Sequence, residues 1–269
     1  MRRTFVGDTT PRIVLAFGII AAALLITPLV ALLLDAPWLA LTRIFSSPVA
    51  QEALRLTLIA SVLATALSFA LGVPLAWLLA REVLPVTRLW RALVIVPLLL
   101  PPVVSGVALL SAFGRRGMVG SWIYDTTGFQ LPFHITGVVV AATFVAMPFL
   151  IITVEGAFRS MDRQIEEAAA VDGATSTRVL RSITLPAIAP ALLAGTVLAW
   201  ARAIGEFGAT ITFAGNLEGA TQTMPLAIYT AMESDRDTAI AMSIMLLVVA
   251  VAILVGLRGY YLPGRARRR

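Results

Sequence analysis

The sequence predicts an all-α polytopic membrane protein with six transmembrane helices. Composition is the first reason: 59% of the 269 residues are hydrophobic, 13% are charged, and the mean hydropathy is +0.90. Soluble domains carry about 25% charged residues. The second reason is a series of charge-free apolar runs, each near the ~20 residues that a helix needs to cross the hydrocarbon core. The third is the arginines, which gather between alternate runs as the positive-inside rule requires.

The six expected spans are Ile13–Leu34, Leu56–Ala80, Ala92–Gly114, Ile135–Val154, Ser182–Ala201 and Thr238–Leu257. The first is longer than the apolar region of about 7–15 residues in a signal peptide, and no small-x-small site follows Leu34. It reads as a retained helix. A cytoplasmic N-terminus puts fifteen arginines inside and five outside, so both termini are expected to be cytoplasmic. The tail Arg265-Ala-Arg-Arg-Arg269 directly follows a span and reads as a topology anchor near anionic lipid, with no nucleic acid implied.

The third span carries Pro97, Pro101 and Pro102, then Ser105 and Gly106. Proline removes a backbone donor and clashes with the preceding turn, so this helix is expected to bend. Carbonyls freed in lipid need protein or water partners. The reading is a pathway-lining element, with a plain kink as the alternative. Gly72-Val-Pro74 and Met147-Pro148 are weaker signs of the same kind. The fifth span holds Arg202 and Glu206, four residues apart and therefore on one helix face. They are expected to pair, either as a structural bridge or as part of a gate. Phe207–Gly215 is too short for its own span and is expected to complete the outer end of the fifth helix.

Between the fourth and fifth spans lies Glu155–Pro186. Asp162 is the expected N-cap of a helix over 162–171, and Gly173 fits the left-handed stop after it. A second short helix is expected from Thr175 or Ser176 to Leu185-Pro186. Four arginines balance Asp162, Glu166, Glu167 and Asp172, so this is no polybasic lipid patch. The face of Ala168, Ala169 and Ala170 is small and smooth enough for a partner to close on.

The composition excludes much chemistry. All 21 basic residues are arginine, there is no cysteine, and His134 is the single histidine. Without lysine there is no phosphate-loop nucleotide site and no Schiff base. Thiolate metal sites, disulfides and two-histidine zinc motifs are equally excluded. A channel or ion-coupled carrier would show intramembrane acidic or histidine relays or inverted repeats. Only Arg202 and Glu206 stand out in that sense. An intramembrane enzyme would have to rely on His134, which reads as a structural residue at the outer boundary.

The spacing Glu167-Ala168-Ala169, three residues, Gly173, nine residues, Ile183, one residue, Leu185-Pro186 resembles the EAA motif of ATP-binding-cassette importer permeases. That resemblance implies the type I ABC importer permease fold. It also implies that the loop 157–186 forms a coupling helix docking on a cytoplasmic ATPase through Glu167, Ala168, Ala169 and Gly173, with Ile183, Leu185 and Pro186 setting the return into the membrane. Pro97-Leu-Leu-Leu-Pro-Pro-Val-Val-Ser-Gly106, Gly114-Arg-Arg-Gly117, Gly205-Glu-Phe-Gly-Ala-Thr-Ile-Thr-Phe213, Asn216 and Thr221-Gln-Thr-Met-Pro-Leu-Ala-Ile-Tyr229 are similar to the molybdate permease branch. Sulfate and thiosulfate permeases share part of this pattern.

The implied organisation is an N-terminal tail, first helix and outer loop over 1–50, a transporter core over 52–257, and a basic tail over 258–269. The implied partners are a second copy of the chain, a cytoplasmic ATPase dimer holding ATP-Mg, an extracytoplasmic oxyanion-binding protein and membrane lipid. The chain itself would carry no cofactor and no catalytic residue, and would sit in a prokaryotic cell membrane. The expected pathway or gate residues are Pro101, Pro102, Ser105, Arg202, Glu206, Thr210 and Thr212.

Overall fold

The computed structural model describes residues 11–261, with side chains over 11–256. The basic tail from Arg265 and the N-terminal Arg2 and Arg3 lie outside the described residues. In chain order the helices are α1 Arg12–Leu34, α2 Leu41–Phe45, α3 Pro48–Ala80, α4 Thr87–Leu99, α5 Pro102–Phe113, α6 Gly120–Thr127 and α7 Ile135–Ser160. Then come α8 Arg163–Val171, α9 Ser176–Val179, a π-helical turn Leu180–Thr184, α10 Leu185–Ala187, α11 Ala189–Ile204, α12 Gly208–Phe213, α13 Met224–Ser234 and α14 Arg236–Tyr261.

Among the described residues four helices are long and apolar enough to span a membrane: α1, α3, α7 and α14 over Arg236–Gly256. Two further helix pairs pass the same test only when each is taken together, as one bent span or a re-entrant pair. α4 and α5 bend by 119°, and the stretch Ser176–Ala187 bends by 71° into α11. The six expected spans are matched when each bent pair counts as one span, and the third and fifth are then not straight helices. Pro101, extended at ψ 139°, caps α5, and Pro102 is its first residue, where its missing N–H costs nothing. Pro74 and Pro148, by contrast, lie inside the continuous helices α3 and α7.

α3 starts at Pro48, earlier than the apolar run suggests. Ser47 caps it by accepting from the Ala50 amide at 3.3 Å. The charges that hide this start, Glu52 and Arg55, form an exposed pair at 3.4 Å. α7 likewise runs past Glu155 to Ser160, so the loop begins later than expected.

α3, α7 and α11 form the centre of the bundle. Ala64 and Ala76 of α3, Ala142 and Ala146 of α7, and Ala199 and Ala203 of α11 are all buried there. Small residues let helix backbones approach closely where lipid gives no hydrophobic drive for association. A Cβ on Gly72 would sit only 3.1–3.3 Å from Leu150, Ile151 and Met147. Several hydroxyls inside the bundle bond back to their own helix, as Thr65 does to the Ser61 carbonyl and Thr143 to the Val139 carbonyl, each at 2.7 Å.

α1 has no fully buried residue, and its half-buried Leu32 packs against Ile240 and Ile244 of α14. Asp35 after its end pairs with Arg236 at 2.7 Å. Asp235 caps α14, accepting from the Thr238 hydroxyl at 2.6 Å and from the amides of Thr238 and Asp237. The Thr238 bonds foremost hold its carboxyl below its ordinary value. His134 caps α7, its ring Nδ1 3.0 Å from the Pro132 carbonyl and its ring 5.1 Å from that of Phe129.

Candidate functional site

Two regions gather the residues singled out by sequence. The first is an arm that projects from one end of the bundle. α8 begins at Asp162, whose carboxylate accepts from the Gln164 amide at 2.9 Å. It ends at Gly173, which has φ +85°. The Ala174 amide donates to the Ala169 carbonyl and the Gly173 amide to the Ala170 carbonyl, both at 3.0 Å. These two bonds make a Schellman stop, which a left-handed glycine favours. Glu167 and Ala168 are exposed, Ala169 is half-buried, and no residue of α8 is buried. Ile165 is 54% and Val171 88% exposed. Ile183 and Leu185 are half-buried, and Leu185 packs against the central cluster as the chain returns to the bundle.

Sequence reading did not single out the bonds that tie this arm down. Glu166 is ion-paired with Arg81, which caps the end of α3, and accepts from the Thr184 hydroxyl at 2.5 Å. Arg163 reaches the Ala80 carbonyl at 3.4 Å. Nearby, Arg91 of α4 holds Glu155 of α7 at 2.6 Å and the Leu79 carbonyl at 3.0 Å. Arginines thus add bonds to the last carbonyls of α3, where the helix dipole favours positive charge. No local signal in the sequence marks this tie, because 85 positions separate Arg81 from Glu166.

The second region is the crossing of α5 and α12. The expectation that Phe207–Gly215 completes the fifth helix is overturned. α11 ends at Ile204, Gly205 to Phe207 are non-helical, and α12 is a separate helix. Arg202 and Glu206 still pair, Nη2 to Oε2 at 2.5 Å, by charge without hydrogen-bond alignment. They do so across a chain break, not along one helical face. The Glu206 side chain is 2% and that of Arg202 29% exposed. Glu206 Oε1 accepts from the Ala209 amide at 2.8 Å and so opens α12.

α12 then packs on α5. A Cβ on Gly106 would overlap Thr212, and one on Gly208 would overlap Pro102. Ser105 and Thr210 are each 1% exposed, Thr212 is half-buried, and Pro101 and Pro102 are exposed. Thr212 donates to the Gly208 carbonyl at 3.0 Å. The Thr210 hydroxyl is buried and makes no hydrogen bond among the described residues. The structure therefore brings together Pro102, Ser105, Glu206, Thr210 and Thr212 around one crossing. Ser105 and Thr210 can meet an ion only if that crossing opens. Among the described residues no cluster of histidine and carboxylate side chains is grouped to hold a metal.

A helical bundle with two broken spans and a capped helical arm is the architecture of a transporter's membrane component. The chain belongs to the family described as binding-protein-dependent transport system inner membrane component, whose model matches residues 72–267. It is 42% identical over 239 residues to the molybdenum transport system permease protein ModB of Mycobacterium tuberculosis, covering 89% of each chain. It is 38% identical to the protein of that name from Escherichia coli K12, covering 81% of this chain and 95% of that one. A probable sulfate transport system permease protein of Nephroselmis olivacea is 31% identical over 80% of this chain and 75% of its own. Among solved structures, a bacterial alginate ABC transporter in complex with a pentasaccharide-bound periplasmic protein matches with a TM-score of 0.72 at 19% identity. That match covers 91% of this chain and 92% of the other, and shows the shared fold.

Proposed function

We propose that this chain is the membrane-spanning permease subunit of an ATP-driven importer that translocates molybdate delivered by an extracytoplasmic binding protein. The observation that carries the mechanism is the exposed arm. Glu167, Ala168 and Ala169 lie on a short capped helix outside the bundle, with Gly173 at its stop. The relatives named for molybdenum transport, at 38–42% identity against 31% for a sulfate-type relative, support the choice of anion.

In this reading the arm is cytoplasmic, as are both termini, and docks on an ATPase subunit. Two copies of the chain enclose the path at a twofold interface. Closure of the ATPase dimer on ATP moves both arms together, and the bundles tilt between inward-open and outward-open states. Molybdate is a tetrahedral dianion, and bare hydrocarbon would cost it tens of kcal/mol. Neutral donors such as Ser105, Thr210 and Thr212 suit a pathway that must solvate an anion without trapping it. Arg202, neutralised by Glu206, orders the gate instead of capturing the ion. Most substrate affinity then resides in the binding protein.

The test is uptake of labelled molybdate by the reconstituted assembly, with tungstate and sulfate as competitors. Molybdate uptake that requires ATP and resists excess sulfate is the expected result. Preferential sulfate uptake would overturn the substrate. Uptake without ATP or an ATPase subunit would overturn the class. Replacement of Glu167 should stop substrate-loaded binding protein from stimulating ATP hydrolysis, while the ATPase subunit on its own stays active.

A further inference from the structure

We propose that Glu166 is a positioning residue that locks the arm to the inner end of α3, so that force entering through α8 reaches the bundle instead of rocking the arm. The inference rests on the coupling reading above and concerns a side chain outside the Glu167-Ala168-Ala169 motif.

Helix α8 has little else to hold it. At its start the chain leaves helical geometry at Met161, with ψ 138°, and at Asp162. At its end Gly173 turns left-handed. Both connections are therefore short non-helical links, of two residues at Met161 and Asp162 and four over 172–175. None of its residues is buried, and beneath it lies a cavity of about 250 Å³ lined by Trp77, Ala170, Val179 and Leu180 among others. Apolar packing under the helix is thus incomplete. The carboxylate of Glu166 bridges that gap. One oxygen meets Arg81 at the end of α3, and the other accepts from Thr184 in the π-helical turn leading to α11. Arg81 and Glu166 are only 11% and 18% exposed, and Thr184 is 1% exposed, so solvent screening is weak. One side chain thereby joins α3, α8 and the path to α11. Arg81 is itself followed by Glu82 and, after a short turn, Val86, both at positive φ, of 56° and 52°. Such strained positions persist where the surroundings over-determine the backbone.

The experiment compares the unaltered assembly of permease, ATPase and binding protein in liposomes with Glu166→Ala, Thr184→Val and the charge-exchanged Arg81→Glu/Glu166→Arg. The readout is labelled molybdate taken up per ATP hydrolysed, normalised to assembled complex. A loss of fivefold or more is expected in Glu166→Ala, a smaller loss in Thr184→Val, and partial recovery in the exchanged pair, which restores the ion pair without the Thr184 bond. A second measurement needs only the folded permease. The chain has no cysteine, so spin labels on Val83→Cys and Val171→Cys, in labelled chains diluted into unlabelled ones, report one distance. Both sites are exposed, at 58% and 88%. That distance should be narrow in the unaltered chain and broad with Glu166→Ala.

Unchanged uptake per ATP, or an equally narrow distance in Glu166→Ala, would overturn the proposal. Loss of the ATPase subunit from the Glu166→Ala complex would make Glu166 a docking residue and overturn it as well. No stimulated hydrolysis in the unaltered assembly would sink the importer reading itself, and the role of Glu166 with it.

Discussion

Glu206 holds Arg202 at 2.5 Å although the helix that carries Arg202 has already ended. The other oxygen of the same carboxylate takes the Ala209 amide at 2.8 Å and starts the next helix. One buried side chain therefore neutralises an intramembrane cation and bridges a break in the backbone. This matters in lipid, where freed amides have no water to turn to.

The two roles of Glu206 separate on substitution. Glu206→Gln keeps an oxygen for the Ala209 amide but leaves Arg202 without a counter-charge. Glu206→Ala removes both. The Ala209 bond to the carboxylate is worth about 1.5–3 kcal/mol, and the unaligned, partly exposed Arg202 contact about 1 kcal/mol. Thermal unfolding of the purified chain in detergent should rank the parent above Gln and Gln above Ala. Equal melting of all three would mean that the contact carries no stability. Arg202→Ala should also impair uptake, since the gate loses its ordering charge.

The crossing of α5 and α12 depends on two glycines. Gly106→Ala and Gly208→Ala each push a methyl group into Thr212 or Pro102. Overpacking of this kind costs about 1–3 kcal/mol. Gly156 is the control, because a Cβ there meets nothing within 4 Å among the described residues. Gly156→Ala sits in helix α7 and should be neutral or stabilising by up to ~1 kcal/mol. Size-exclusion thermostability assays read the contrast directly. A drop for Gly156→Ala as large as for Gly106→Ala would show that methyl tolerance at these sites is not set by the crossing.

Gly173 makes a conformational demand, not a spatial one. Its φ is +85°, yet a Cβ there would touch nothing among the described residues. Left-handed backbone costs an L-residue about 1–2 kcal/mol, less for asparagine and more for a β-branched side chain. Stimulation of ATP hydrolysis by loaded binding protein should therefore fall in the order Gly, Asn, Ala, Val. If Ala and Val matched Gly, the arm's stop would not matter to coupling. If Asn failed as badly as Val, the site would be reading bulk against the ATPase instead.

These outcomes divide along what a linear sequence can carry. Asp162 and Gly173 are legible because caps act within a few residues of themselves. The bend at Pro101 is legible in kind but not in size, since two prolines announce an interruption without stating the 119° that packing on α12 settles. The break after Ile204 is hidden because Phe207–Phe213 continues the apolar run. Hydropathy does not register three non-helical residues, and the one local hint is Gly205 and Gly208 on either side of a carboxylate. The tie between Arg81 and Glu166 has no local trace at all. It exists only once α3 and α8 meet, and a charge-balanced loop gives no sign of which charges pair inward.

Arg91 gives the last prediction, because its geometry uses the whole guanidinium. Nε meets Glu155 of α7 at 2.6 Å, Nη2 donates to the Leu79 carbonyl at 3.0 Å, and Nη1 faces Glu82 at 3.6 Å. The side chain is 23% exposed and that of Glu155 12%, so the Glu155 contact is shielded while Glu82, 67% exposed, adds little. Lysine offers a single nitrogen and cannot reach a carboxylate and a carbonyl in the same fork. Arg91→Lys should keep the ion pair with Glu155 and release the end of α3, lowering stability by about 1 kcal/mol. Arg91→Ala should strand Glu155 and cost about 2–3 kcal/mol. Denaturation midpoints test the order, and a double replacement with Glu155→Gln separates the terms. Once Glu155 no longer carries charge, Arg91→Lys should still cost the carbonyl bond. If the double variant instead erased the whole penalty, Arg91 would act on α7 alone, and α4 would not be tied to the end of α3.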